Sequence, residues 1–133
     1  MTGRASPAKL NLFLKVLGRR SDGYHEIASL MQQIDLCDEM DFAAADSGIR
    51  LQCPGSGLPE DERNIVYRAA AKILDETGHR GGVEIVLRKR IPIAAGLGGG
   101  SSNAATTLSA LNEILHLNVS AERLQALGAS LGA

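Results

Sequence analysis

Val83-Glu84-Ile85-Val86-Leu87-Arg88-Lys89-Arg90-Ile91-Pro92-Ile93-Ala94-Ala95-Gly96-Leu97-Gly98-Gly99-Gly100-Ser101-Ser102-Asn103-Ala104-Ala105 carries three kinds of local order in sequence. Val83, Ile85 and Leu87 alternate with Glu84 and Val86, the period-two pattern of a strand with one buried face. Arg88, Lys89 and Arg90 place three cations where that strand meets a loop, and Pro92 ends it. Four glycines then fill five positions from Gly96 to Gly100. Beyond them Ala104, Leu108, Leu111 and Leu115 recur at helical spacing, and Ser101 or Ser102 can cap the helix. Glycine permits φ > 0 and lets a backbone approach a ligand closely. The start of a helix offers unpaired N–H groups and the positive end of its dipole. Strand, cations, glycines, hydroxyls and helix together form a cradle for an anion, most often a phosphate. The competing reading is a tight strand-to-helix connection with no ligand.

The loop is neither of the two commonest phosphate loops. No Lys-Ser or Lys-Thr pair follows the glycines as a P-loop requires. Ser101 stands where the dinucleotide fingerprint places its last glycine.

Outward from this stretch, Leu10, Leu12, Leu14 and Val16 alternate with Lys9, Asn11, Phe13 and Lys15 as a half-buried strand over residues 8–17. Gly18 to Gly23 reads as a polar turn, and Tyr24 to Ile34 as a second strand. Glu39 to Ala44 and Ile49 to Gln52 read as a hairpin around Asp46-Ser47-Gly48. Asn64 caps a helix with apolar positions Ile65, Val66, Ala69, Ala70, Ile73 and Leu74, which Gly78 to Gly82 breaks. A last helix starts at Ser120 and buries Leu124, Leu127 and Leu131. Strands come first and helices later, which predicts an α+β fold with helices packed on one face of a mainly antiparallel sheet.

At 133 residues with a net charge of −1, the chain is one domain, small for a complete two-substrate enzyme. The charge balance and the scarcity of aromatic residues argue against nucleic-acid binding. Basic residues Arg4, Lys9, Lys15, Arg19 and Arg20 precede an acidic group of Asp35, Asp38, Glu39, Asp41 and Asp46. Cys37 and Cys53 match no metal-ligand spacing and read as reduced thiols. The apolar run Leu10 to Leu17 is too short and too interrupted for a signal peptide or a membrane span, so a cytoplasmic protein is expected. His79 and His116 read as structural or solvated.

Lys9 and Asn11 stand two apart on a strand and so leave one face of it. A lysine there can neutralise a phosphate or lower the pKa of a substrate hydroxyl; a solvent-exposed edge is the plain alternative. Tyr24-His25 can stack on a base and hydrogen-bond its edge, or simply hold a turn.

The runs Ser6-Pro7-Ala8-Lys9-Leu10-Asn11-Leu12, Asp22-Gly23-Tyr24-His25-Glu26 and Pro92 to Ala105 resemble, in order, the galactokinase–homoserine kinase–mevalonate kinase superfamily. Within it the chain is similar to the branch that phosphorylates a cytidyl-bearing methylerythritol in non-mevalonate isoprenoid synthesis. The Pro-Ala-Lys-Leu-Asn and Asp-Gly-Tyr-His motifs belong to that branch, whereas the glycine loop is common to the superfamily. The resemblance implies an N-terminal α+β domain like the second domain of a small-subunit ribosomal protein, with a left-handed helix crossover, followed by a ferredoxin-like domain. It implies that Gly96, Leu97, Gly98, Gly99, Gly100, Ser101, Ser102 and Asn103 bind ATP phosphates. Lys89 and the Asn64-Ile65-Val66 segment would lie on the adenine side, and Lys9 would be the catalytic lysine. Asn11, Tyr24 and His25 would contact the small-molecule cytidyl substrate. Magnesium would arrive with the nucleotide, since the sequence shows no dedicated metal cluster. In the family Leu-Gly-Ala is followed by an aspartate that acts as base. Residues 1–133 are therefore expected to be an N-terminal kinase domain without its base or its C-terminal domain, inactive alone and open to self-association on the undocked face. A sister kinase of mevalonate or homoserine type and a non-catalytic nucleotide-binding module are the alternatives.

Overall fold

A computed structural model of the chain describes residues 1–19, 25–93 and 99–131, with side chains described at 1–8, 36–93 and 99–131. The elements run β1 (Thr2–Arg19), β2 (His25–Ala45), β3 (Ile49–Gln52), α1 (Ile65–Thr77), β4 (Gly82–Arg88), α2 (Gly99–Ile114) and α3 (Ala121–Ser130). The strands form one sheet in the order β1-β2-β4-β3. β1 with β2 and β2 with β4 are antiparallel, while β3 with β4 is parallel. The fold is thus α+β with a mixed, mainly antiparallel sheet.

Local signals account for most boundaries. Asn64 caps α1 by accepting the Val66 N–H at 2.9 Å, and Gly78 ends it at φ 66, where a side chain would be strained. Ser120 caps α3 by accepting from the Arg123 N–H. Val83, Ile85 and Leu87 are all buried, as their alternation predicts. They meet Met40 and Phe42 of β2, Val66, Ala69, Ala70 and Ile73 of α1, and Leu108 and Leu111 of α2 in one core. The helices therefore cover a single face of the sheet.

Four expectations are corrected. The segments read as two strands, Tyr24 to Ile34 and Glu39 to Ala44, belong to one strand beginning at His25. The hairpin expected around Asp46-Ser47-Gly48 does not form. Gly48 does turn the chain at φ 72, but β4 inserts between β2 and β3, and β3 pairs with it in parallel through the α1 crossover. α2 begins at Gly99, so Ser101 and Ser102 lie inside its first turn rather than capping it. In α3 only Leu127 is fully buried, because Leu124 and Leu131 sit at the edge of the core. Among the described residues no helix is long and apolar enough to cross a membrane.

Candidate functional site

The far end of β4 and the first turn of α2 converge on the inner face of the sheet. Ser6 and Ala8 on β1, and Asp38, Met40 and Phe42 on β2, are buried at alternate positions, so Ser6 and Asp38 face the helices rather than solvent. They are direct partners in the β1–β2 register. Glu39 pairs with Arg88 at the end of β4, which brings the next residue, Lys89, beside Asp38.

These groups form one closed hydrogen-bonded network. Lys89 Nζ donates to Asp38 Oδ2 at 2.6 Å and to Asn103 Oδ1 at 3.2 Å. Asn103 Nδ2 donates to Asp38 Oδ2 at 2.9 Å and to Ser6 Oγ at 2.8 Å. Ser6 Oγ and Ser102 Oγ share a bond of 2.9 Å. The second carboxylate oxygen accepts the backbone N–H groups of Arg90 at 2.6 Å and Ile91 at 2.9 Å. Among the described residues no buried side-chain polar atom lacks a partner. Burial pushes the Asp38 pKa up, but the bonds from Lys89, Ile91, Arg90 and Asn103 outweigh it and hold the carboxyl below its ordinary 3.8.

The three cations at the loop entrance are all paired with acids of β2. Lys89 meets Asp38 inside, while Arg88 bonds Asp41 and Arg90 reaches Glu39 at 3.1 Å on the surface. The residues expected to bind ATP divide accordingly. Gly99 sits where an added Cβ would lie 3.0 Å from Ile91 Cγ2 and 3.1 Å from Lys89 Nζ, and Gly100 faces Ile65 at the start of α1. The N-terminal ends of α1 and α2 therefore meet. Ser101 is exposed and lines an open groove of about 410 Å³ between α2 and α3, whereas Ser102 turns inward to Ser6. Both ends of the Asn64 amide are occupied, by the Val66 N–H and by Pro59 O at 2.9 Å, and Val66 is core. Ile65 lies beside the start of α2, its Cγ2 4.0 Å from where a Cβ on Gly100 would stand.

Lys9 and Asn11 lie on β1 in unbroken register with Gln33 and Met31, and His25 opens β2 opposite Arg19. Their side chains, together with Tyr24, Gly96, Leu97 and Gly98, fall outside the described residues. Among the described residues no group of three potential metal ligands is found. Both cysteines are free. Burial first, and then Glu60, pushes the Cys53 thiol up to about 11, so it is a protonated core group.

Sequence reasoning missed Asp38 and Ser6. The signal was present, since Asp38 continues the inward series of Met40 and Phe42, and a charge on a buried face calls for a partner.

A relative from Syntrophus aciditrophicus named 4-diphosphocytidyl-2-C-methyl-D-erythritol kinase is 59% identical over 128 residues, covering 96% of this chain and 46% of its own. One of the same name from Citrifermentans bemidjiense is 50% identical over 129 residues, with the same two shares. The chain thus spans about half the length of these curated relatives. The crystal structure of a 4-(cytidine 5'-diphospho)-2C-methyl-D-erythritol kinase superposes with a TM-score of 0.81 at 44% identity, covering 99% of this chain and 46% of that one. A mevalonate kinase structure shares the fold, with a TM-score of 0.74 at 18% identity over 98% of this chain and 46% of that one. The family model described as GHMP kinases N terminal domain matches residues 64–133, and the chain belongs to that kinase family.

Proposed function

We propose that residues 1–133 form the N-terminal domain of an ATP-dependent kinase that phosphorylates the tertiary hydroxyl of 4-diphosphocytidyl-2-C-methyl-D-erythritol in non-mevalonate isoprenoid synthesis. The observation that carries this reading is the 59% identity over 128 residues to a relative bearing that name. The site is consistent with it. The first-turn N–H groups of α2 and its dipole suit the β- and γ-phosphates, and the absence of a Cβ at Gly99 keeps that end open beside Lys89. In this reading Lys89 and the Asn64-Ile65-Val66 segment lie on the adenine side, and the meeting of the starts of α1 and α2 at Ile65 and Gly100 is consistent with that.

In this reading Lys9 offsets charge at the reacting oxygens, while Asn11, Tyr24 and His25 hold the cytidyl group. Magnesium, when bound with the nucleotide, would neutralise phosphate charge. The γ-phosphoryl passes in line to the substrate oxygen and ADP leaves. The hydroxyl proton goes to a carboxylate base outside residues 1–133, in a cleft completed by a second domain.

The test is ADP release by the complete protein with the cytidyl alcohol, mevalonate or homoserine as acceptor. Turnover is expected with the first alone, and equal turnover of either other alcohol overturns the assignment. His25→Ala should raise KM for the cytidyl alcohol about 10- to 100-fold, the cost of a lost specific hydrogen bond, and leave KM for ATP unchanged. Equal effects on both would remove His25 from the cytidyl site.

A further inference from the structure

The chain leaves β4 after Arg88 and enters α2 at Gly99, and both flanks of the glycine-rich segment are bound to one carboxylate. Asp38 Oδ1 holds the outgoing stem through the Arg90 and Ile91 N–H groups. Asp38 Oδ2 holds the returning helix through Asn103 Nδ2, and it holds Lys89 Nζ at 2.6 Å. Asp38 itself sits on β2, a central strand of the sheet, and is fully buried. Arg88 and Arg90 pair with acids on the exposed surface, where such pairs do little to fix geometry. One fixed group therefore sets the gap that the loop must span and the position of the lysine beside Gly99.

We propose that Asp38 is the positioning residue of the nucleotide site, aligning the start of α2 and Lys89 for ATP without touching ATP itself. Ser6 extends the same device. Its hydroxyl bonds both Asn103 and Ser102 and lies three residues before Lys9 on β1, so the strand bearing the candidate catalytic lysine is tied to the start of α2. This inference rests on the kinase reading above.

The experiment is steady-state kinetics of the complete protein with ATP and the cytidyl alcohol varied in turn, for wild type, Asp38→Asn, Lys89→Met and the double variant. Asparagine can still accept from Arg90 and Ile91, but it turns a donor toward Lys89 and Asn103. Asp38→Asn should raise KM for ATP on the order of 10- to 100-fold, the usual effect of a small misplacement. The KM for the alcohol should change less than about twofold, well below that positioning effect. Because Asp38 acts in part through Lys89, the double variant should have an ATP KM well below the product of the two single effects. A folded Asp38→Asn with unchanged ATP KM, or with both KM values raised equally, overturns the proposal. So does a double variant whose losses multiply; if Asp38→Asn does not fold, Lys89→Met, which leaves Asp38 bonded to the Arg90 and Ile91 N–H groups, carries the test, and an unchanged ATP KM there overturns the proposal. Wild-type protein without ATP-dependent turnover would instead overturn the kinase reading.

Discussion

Replacing Lys89 by methionine keeps the apolar stem and removes the ammonium alone. Asp38 then retains three of its four donors, the N–H groups of Arg90 and Ile91 and the amide of Asn103. The bond lost from Lys89 to Asp38 joins opposite charges at 2.6 Å, and the bond lost to Asn103 is longer, at 3.2 Å. A charge-assisted bond contributes about 1.5–3 kcal/mol and a weaker one about 0.5–1.5 kcal/mol. The expected loss at neutral pH is therefore about 2–4.5 kcal/mol, overlapping the about 3–5 kcal/mol seen when a buried charge is left unpaired.

The pH dependence gives the sharper test. In the wild type Asp38 titrates below its ordinary 3.8, so its contribution is complete above that value and is lost as pH falls through the folded pKa. Lys89 is the leading cause opposing burial, and without it the folded pKa climbs. Protonation then relieves the variant at a higher pH than it does the wild type. The stability gap should be widest near neutrality and narrow as pH falls through the variant's folded pKa toward the lower folded pKa of the wild type. Urea unfolding followed by circular dichroism across that range measures it. A gap under about 1 kcal/mol at neutral pH, below the worth of one charge-assisted bond, refutes the reasoning. A gap that does not narrow as pH falls below about 4, through the carboxyl range, refutes it too.

Two further substitutions probe the packing around the site. At Gly82 an added Cβ would lie 2.2 Å from Gly48 O and 2.3 Å from Ser47 C, both backbone, where Val83 N–H bonds Gly48 O at 2.9 Å. Gly82→Ala should cost about 3 kcal/mol or more, the upper end for overpacking, and a melting temperature equal to wild type would show that the turn moves freely. Gly99→Ala gains up to about 1 kcal/mol of helix propensity while crowding Ile91 and Lys89 by a few tenths of an ångström. Stability should stay near wild type while the KM for ATP rises severalfold, and an unchanged KM would mean that Lys89 does not depend on this contact.

What the sequence made legible was local. The caps at Asn64 and Ser120, the glycine stop at Gly78 and the alternation of Val83, Ile85 and Leu87 each depend on neighbours within a few residues, and each was found as read. Partner choice between strands was not legible. The turn at Gly48 suggested that β2 and β3 pair, but a two-strand ribbon competes with any later strand that can fit between them. β4, apolar at three inward positions, takes that place. The site divides the same way. Its glycines and helix could be read from the chain, whereas the carboxylate that holds them comes from a strand more than fifty residues earlier.

That distance changes the account of how an anion is attracted here. Arg88, Lys89 and Arg90 look, in sequence, like three charges available to phosphate. In the structure each meets one of Asp41, Asp38 and Glu39, so the cluster is neutral in sum. Alternation along the strand end sends Lys89 inward and its two neighbours outward, so a single short run both anchors the loop and covers the surface. A neutral cluster draws little counter-charge from solution. In the kinase reading, the attraction that the described residues offer at this end comes from fixed dipoles, the N–H groups at the start of α2, and from Lys89 only through its N–H bonds. Side-chain charge built the frame, and the backbone it holds supplies the field.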